Sequence, residues 1–255
     1  MYGLVPRRSP QVEALVVVLA YLVYDSSRGL VAGGRGIALA HARAVWSAER
    51  TLHLDAERWA QATARHMPGL LAAFGASYMT LHLGATVLAL VWLYRRRDAR
   101  AYATVRTALL VASGLGLIGF VLFPTAPPRL AGLGVADTVS NGPVGLNGSL
   151  RWLYNPFAAM PSMHLAFAVL VGAAVFRYAR RRAWRGVAVA YPLWVTAEVV
   201  ATGNHFVLDG VAGALVAAVS LIVGDAAVRR LPAYRTASQP HGAAGREPRP
   251  TGLAA

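Results

Sequence analysis

The sequence predicts an all-α polytopic membrane protein: a bundle of six transmembrane helices, with one further helix lying in the interface between the first two spans. Three observations carry that expectation. Hydrophobic residues make up 56% of the chain and the mean hydropathy is +0.46. Six apolar runs approach the ~20 residues that a bilayer asks of a helix. Charged residues are 14% of the total, well under the roughly 25% of an ordinary soluble domain, and they gather where the apolar runs end.

Taken in order, residues 1 to 10 form a short tail with Arg7 and Arg8. Val12 to Tyr24 is a thin first span that reaches bilayer length with its flanks. It lacks a convincing small-residue cleavage site, so it is expected to stay as an anchor. Residues 37 to 66 are more polar and read as one helix. On a 100° wheel Val45, Leu52, Ala56 and Trp59 fall on one side, and Arg43, Arg50, Arg58 and Arg65 on the other. Such a helix suits an interface, its arginines near lipid phosphates, or else packs on the bundle as a solvated helix.

The remaining spans are Pro68 to Tyr94, Ala101 to Phe123, Ala158 to Tyr178, Trp184 to Thr202 and His205 to Val228. Residues 231 to 255, rich in Pro, Ala, Gly and Arg, read as a disordered tail. Residues 11 to 230 then form a single membrane domain, with no internal repeat.

The net charge is +14, and all 25 basic residues are arginine. Their position at the ends of apolar runs points to membrane flanks and away from nucleic acid. If the N-terminus is cytoplasmic, 17 of the 25 arginines fall on cytoplasmic segments and 8 on the other side. The positive-inside rule therefore predicts a plasma-membrane protein with both termini cytoplasmic. The chain has no cysteine, which excludes disulfides, thiol catalysis and Cys-ligated zinc.

Two polar clusters interrupt the apolar pattern, and the predicted topology puts both on the outer face. In Asn155-Pro156-Phe157-Ala158-Ala159-Met160-Pro161-Ser162-Met163-His164, a hydroxyl and an imidazole open the fourth span. A helix start presents unpaired N–H groups and the positive end of the macrodipole, so an anion such as phosphate is well held there. Pro161 suits the first turn, having no N–H to leave unpaired. In Gly203-Asn204-His205-Phe206-Val207-Leu208-Asp209, His205 and Asp209 are four apart and share one face if helical, with Gly213 one turn further on for helix packing. A carboxylate there fixes the imidazole tautomer. Two histidines, one with its own carboxylate, are the parts of a nucleophile and a general acid at phosphorus.

These residues resemble the type 2 phosphatidic acid phosphatase superfamily over roughly residues 68 to 225. Pro161-Ser162-Met163-His164 is similar to that family's second motif, and His205 with Asp209 to the His-x-x-x-Asp of its third. Phe123-Pro124-Thr125-Ala126-Pro127-Pro128-Arg129 and the 155–162 stretch are similar to the branch related to inositol phosphorylceramide synthases, which transfers a phosphoinositol headgroup between lipids. The sequence also departs from the phosphatase pattern. The lysine of the first motif falls at Leu122, and the Ser-Arg pair of the third falls at Val199 and Glu198. Arg129, helped by Arg151, is left to clamp phosphate.

The resemblance implies that His205, oriented by Asp209, attacks a lipid phosphoester to form a phosphohistidine. His164 then protonates the leaving alkoxide, while Ser162 and Arg129 hold the phosphoryl oxygens. A membrane lipid is the substrate, and water or a small alcohol such as inositol the acceptor. No cofactor or metal is required. Glu198 is a candidate to line the cavity or to counter Arg129. His82 and Tyr78, four apart in the second span, are candidates to touch a headgroup or to hydrogen-bond between helices. Tyr154 and Asn155 are candidate substrate contacts.

The enzyme runner-up is a phosphatase acting on a lipid phosphate or isoprenyl diphosphate. From other classes come a transporter using His82, His164, His205 and Asp209, an intramembrane serine protease pairing Ser162 with His205, and a pseudoenzyme. Histidines that open helices at one face, and do not line a path through the midplane, argue against the transporter. The protease lacks a nucleophile-elbow setting.

Overall fold

The computed structural model describes residues 9–30, 34–138 and 155–231. Among them the chain is helical: α1 (Pro10–Leu30), α2 (Arg35–Leu52), α3 (Glu57–Arg65), α4 (Leu70–Arg95), α5 (Ala99–Leu122), α6 (Met163–Tyr178), α7 (Arg182–Ala201) and α8 (Val207–Arg230), with a 3-10 turn at Pro128–Leu130. By length and composition α5 and α8 are fit to cross a membrane. The segments Leu70–Tyr78 and Thr80–Arg95 of α4, which meet at 50°, make a third span if counted as one. The protein is thus an all-helical membrane protein. The apolar parts of α1 and α6 are shorter.

Small residues set the packing. Leu93, Val105, Ala108, Ala112, Phe120, Ala166, Leu170 and Ala217 form the main core where α4, α5, α6 and α8 meet. Gly224 of α8 lies so close to α5 that a Cβ there would stand 2.9 Å from the Thr104 carbonyl oxygen. Close backbone approach of this kind replaces the hydrophobic drive that lipid does not supply. Large apolar side chains such as Leu122, Leu215 and Ile222 face outward. At the Pro10 end of α1, Glu13 accepts from Tyr102 (3.1 Å) and pairs with Arg106 (2.5 Å), tying α1 to α5.

Two sequence expectations change here. The 37–66 stretch is two helices, because His53 takes a left-handed conformation (φ 57°) and the Leu54 N–H turns back to the Glu49 carbonyl, closing α2. The wheel holds for Val45, which is buried, and for Arg43, Arg50, Arg58 and Arg65, which are exposed, but not for Leu52 (58% exposed) and Trp59 (71%); Ala38, Ala42 and Glu49 of α2 and Glu57, Gln61 and Ala64 of α3 are buried instead. The inward face carries polar groups that bond to loops and helix ends, which a hydrophobicity wheel places outside. The second change is at 158–162, which precedes α6; that helix begins only at Met163. The tail 231–255 lies outside the described residues except for Leu231.

Candidate active site

The loops that precede α6 and follow α5 hold each other. Thr125 N–H donates to the Phe157 carbonyl (2.8 Å) and Ala159 N–H to the Thr125 carbonyl (3.2 Å), a parallel bridge between the two stretches. Asn155 is buried, and its Oδ1 accepts from Phe157 N–H at 2.8 Å, so it shapes this turn. Pro161 stands one residue ahead of the N-cap and not in the first turn. Its ring packs on Gly119 of α5, where a Cβ would come within 2.4 Å of it.

Ser162 is the N-cap of α6. Its Oγ accepts from Leu165 N–H (3.4 Å) and its own N–H donates to the Asp209 carbonyl (2.9 Å), which ties the start of α6 to the first turn of α8. A hydroxyl that accepts in the cap still has its proton to give. Gly213 makes the approach possible, since a Cβ there would lie 2.2 Å from the Ser162 carbonyl oxygen.

His205 lies just before α8, outside the helix, held by its N–H on the Val199 carbonyl (3.1 Å). Its Nδ1 is 2.8 Å from the Ala159 carbonyl oxygen and 3.5 Å from Asp209 Oδ2. A carbonyl only accepts, so Nδ1 carries the proton and Nε2 the lone pair. The nearest fixer of the tautomer is therefore the Ala159 carbonyl. Asp209 stands behind it, adding negative charge and capping α8 through Phe206 N–H (2.9 Å).

His164, the second residue of α6, faces this imidazole with ring centroids 5.7 Å apart. Its ring stacks on Tyr78 (4.1 Å) and lies 4.3 Å from His82. The two candidates from α4 are thus brought to the histidine pair. His82 is twelve residues into α4, past the 50° bend that follows Tyr78. The pair thus lies between α4, α6 and the start of α8, and α6 has 16 residues.

Arg129 is 7% exposed, its backbone N–H on the Gly203 carbonyl (3.0 Å) and its Nε on Asn204 Oδ1 (2.9 Å). This puts the guanidinium beside the residue that precedes His205. One terminal nitrogen pairs with Asp137 at 3.0 Å. Asp137, not Glu198, is thus the carboxylate on Arg129: Glu198 is fully buried and accepts from Ser77 of α4. Arg151 and Tyr154 lie outside the described residues.

Several residues at the site were not singled out from sequence. Asn204 and Asp137 seat Arg129. Gln61 of α3 holds the Asp137 loop by donating to the Ala136 carbonyl (2.9 Å) and accepting from Ala136 N–H (2.8 Å). Glu57 accepts from Val207 N–H (3.1 Å) and Glu49 from Leu208 N–H (2.7 Å), so three successive N–H groups at the start of α8 go to protein carboxylates. Burial pushes Glu49, which lies outside the spans, up to about 9, and raises Glu57. These three donors are thus committed to protein groups and are not offered to a substrate anion. The start of α6 and Arg129 are the groups placed to hold one.

A family model described as the PAP2 superfamily matches residues 43–223 of the chain. No curated protein and no solved structure matches it.

Proposed function

The chain belongs to the PAP2 superfamily, whose members are generally phosphatases or phosphotransferases, and from that premise we propose that it is a lipid phosphotransferase that moves a phosphoryl headgroup, phosphoinositol among the candidates, through a phosphohistidine at the outer membrane face. The observation that carries the reading is the facing pair His164 and His205, with His205 Nδ1 committed to a carbonyl and Nε2 left to react. In the first step Nε2 attacks phosphorus and the bond to the leaving alkoxide breaks. His164, as imidazolium, gives that oxygen its proton. In the second, His164 takes the proton of an acceptor hydroxyl whose oxygen displaces His205. Ser162, the start of α6 and Arg129 hold the non-bridging oxygens throughout. Six spans, cytoplasmic termini and residues 11–230 as one membrane domain complete the reading.

Charge supports a transferase over a monoesterase. A phosphomonoester arrives with close to two negative charges, a phosphodiester with one. The positions where phosphatases of this family carry Lys, Ser and Arg hold Leu122, which is 74% exposed, Glu198, which is bound to Ser77, and Val199, which packs in the core. Arg129, already sharing its charge with Asp137, matches a monoanion better.

The test is full-length protein in lipid vesicles with labelled lipid phosphoesters, with and without alcohol acceptors such as inositol, beside His205→Ala. Headgroup transfer that depends on the acceptor is the expected result, and the variant should lose at least ~1,000-fold in rate. Free phosphate released without an acceptor would make the protein a phosphatase instead. A fully active His205→Ala would remove His205 as nucleophile.

A further inference from the structure

Glu49 and Glu57 come from two helices outside the spans, they are 0% and 3% exposed, and no step of the proposed reaction uses them. Each reaches across to the first turn of α8 and accepts a backbone N–H there, Leu208 at 2.7 Å and Val207 at 3.1 Å. Asp209 takes the N–H of Phe206, next to His205. The two carboxyls, brought to adjacent N–H groups of one turn, also act on each other electrostatically.

We propose that Glu49 and Glu57 are positioning residues for the nucleophile: the carboxyl pair clamps the first turn of α8 and so sets the His205 ring against the Ala159 carbonyl and Asp209. The proposal rests on the reading of His205 as nucleophile. Three ionised carboxylates within one helical turn repel each other more than a helix dipole compensates, so the clamp needs a proton. The titratable groups acting on the pair are each other and Asp209 of α8; His41, also on α2, is turned to the Pro124 carbonyl. With Glu49 pushed up to about 9, its carboxyl keeps a proton at neutral pH. Oε1 accepts from Leu208, so in this proposal the proton belongs to Oε2, which is fully enclosed and has no other partner, and is directed to Glu57. When Glu49 ionises at alkaline pH, the bond between the glutamates is lost and the first turn of α8 loosens.

The experiment uses full-length protein in phosphatidylinositol-containing vesicles, as parent, Glu49→Gln and Glu49→Ala. It reads kcat and KM against pH together with the 15N signals of the His205 ring, assigned with His205→Asn. The parent should lose kcat as pH rises through about 9. Glutamine accepts from Leu208 and donates to Glu57 without a titrating proton, so Glu49→Gln should keep most of kcat at pH 7 and show no such fall. Glu49→Ala should lose ~10–100-fold in kcat with KM within ~2-fold, the usual size for a residue that orients another. Its His205 ring should pass from one tautomer to a mixture.

An alkaline fall that persists in Glu49→Gln, or a Glu49→Ala variant with parental kcat and ring signals, overturns the proposal. If the parent turns over no lipid phosphoester, the proposed function fails by itself. The ring signals then decide the positioning alone: a mixture in Glu49→Ala upholds it and an unchanged ring ends it.

Discussion

At the scale of single residues, Arg129 shows how a cation becomes a binding group. It is anchored twice to the 203–204 turn, by its backbone N–H and by Nε, and a third time through Asp137. The planar fork is thus fixed before a phosphate arrives, which lowers the entropy cost of holding one. A lysine offers one point charge and cannot hold Asn204 and Asp137 while facing a substrate oxygen. Arg129→Lys is therefore expected to lose ~100-fold in kcat/KM, in line with the loss of one preorganised donor. Steady-state kinetics in vesicles measure this, and a loss under ~3-fold would mean that Arg129 serves only the fold.

The residues that carry the chemistry were legible because each breaks an apolar pattern. In a chain so poor in polar groups, Ser162, His164, His205 and Asp209 stand out as polar starts to apolar runs. Asn204 was not legible as a partner of Arg129, for nothing local marks a bond that spans 75 residues, and Asp137, eight residues away, sits in a loop with no periodicity to aim it back at Arg129. Gln61, also joined to a loop 75 residues away, escaped for the same reason.

At the scale of elements, the geometry of the histidine pair depends on how closely α6 and α8 approach. Gly213 sits against the Ser162 carbonyl with no room for a methyl group, the obstacle being backbone and not a flexible side chain. Gly213→Ala must push the start of α6 outward, taking Ser162 and His164 from His205. Overpacking of this kind costs about 1–3 kcal/mol, and a displacement near 1 Å at a reacting pair is enough to lower kcat by ~100-fold. A thermal melt in detergent and a rate measurement on the same sample check both. Normal rate with normal melting would show that the helices have slack here.

The helices themselves were visible in sequence as apolar runs, but two details were not. The α2–α3 break at His53 is a left-handed residue with no glycine to announce it. The buried side of α2 and α3 is partly acidic, so a rule that puts charge outside placed the arginines rightly and missed Glu49 and Glu57. Glu49 and Glu57 are buried because they satisfy the N–H groups that open α8, an account that needs all three helices in place.

At the scale of the whole molecule, the arrangement sets one end of the bundle apart. The starts of α6 and α8, the loop after α5, and α2 with α3 gather there, while arginine-rich turns join α4 to α5 and α6 to α7 at the other end. The excess of arginine on the second end puts it in the cytoplasm if the positive-inside rule governs insertion, and the histidine pair then faces outward. A chain without cysteine allows a direct test, since any thiol introduced is the sole one. Ser140→Cys lies in the segment between α5 and α6, and Ser238→Cys beyond α8. With a membrane-impermeant maleimide on intact cells, Ser140→Cys should react and Ser238→Cys should not, and permeabilisation should make the second reactive. The reverse pattern would turn the protein over and give the site access to cytoplasmic acceptors. Labelling of both in intact cells would break the odd count of three spans, α6 to α8, between the two positions, because only an odd number of crossings puts the 140 segment and the C-terminal segment on opposite sides.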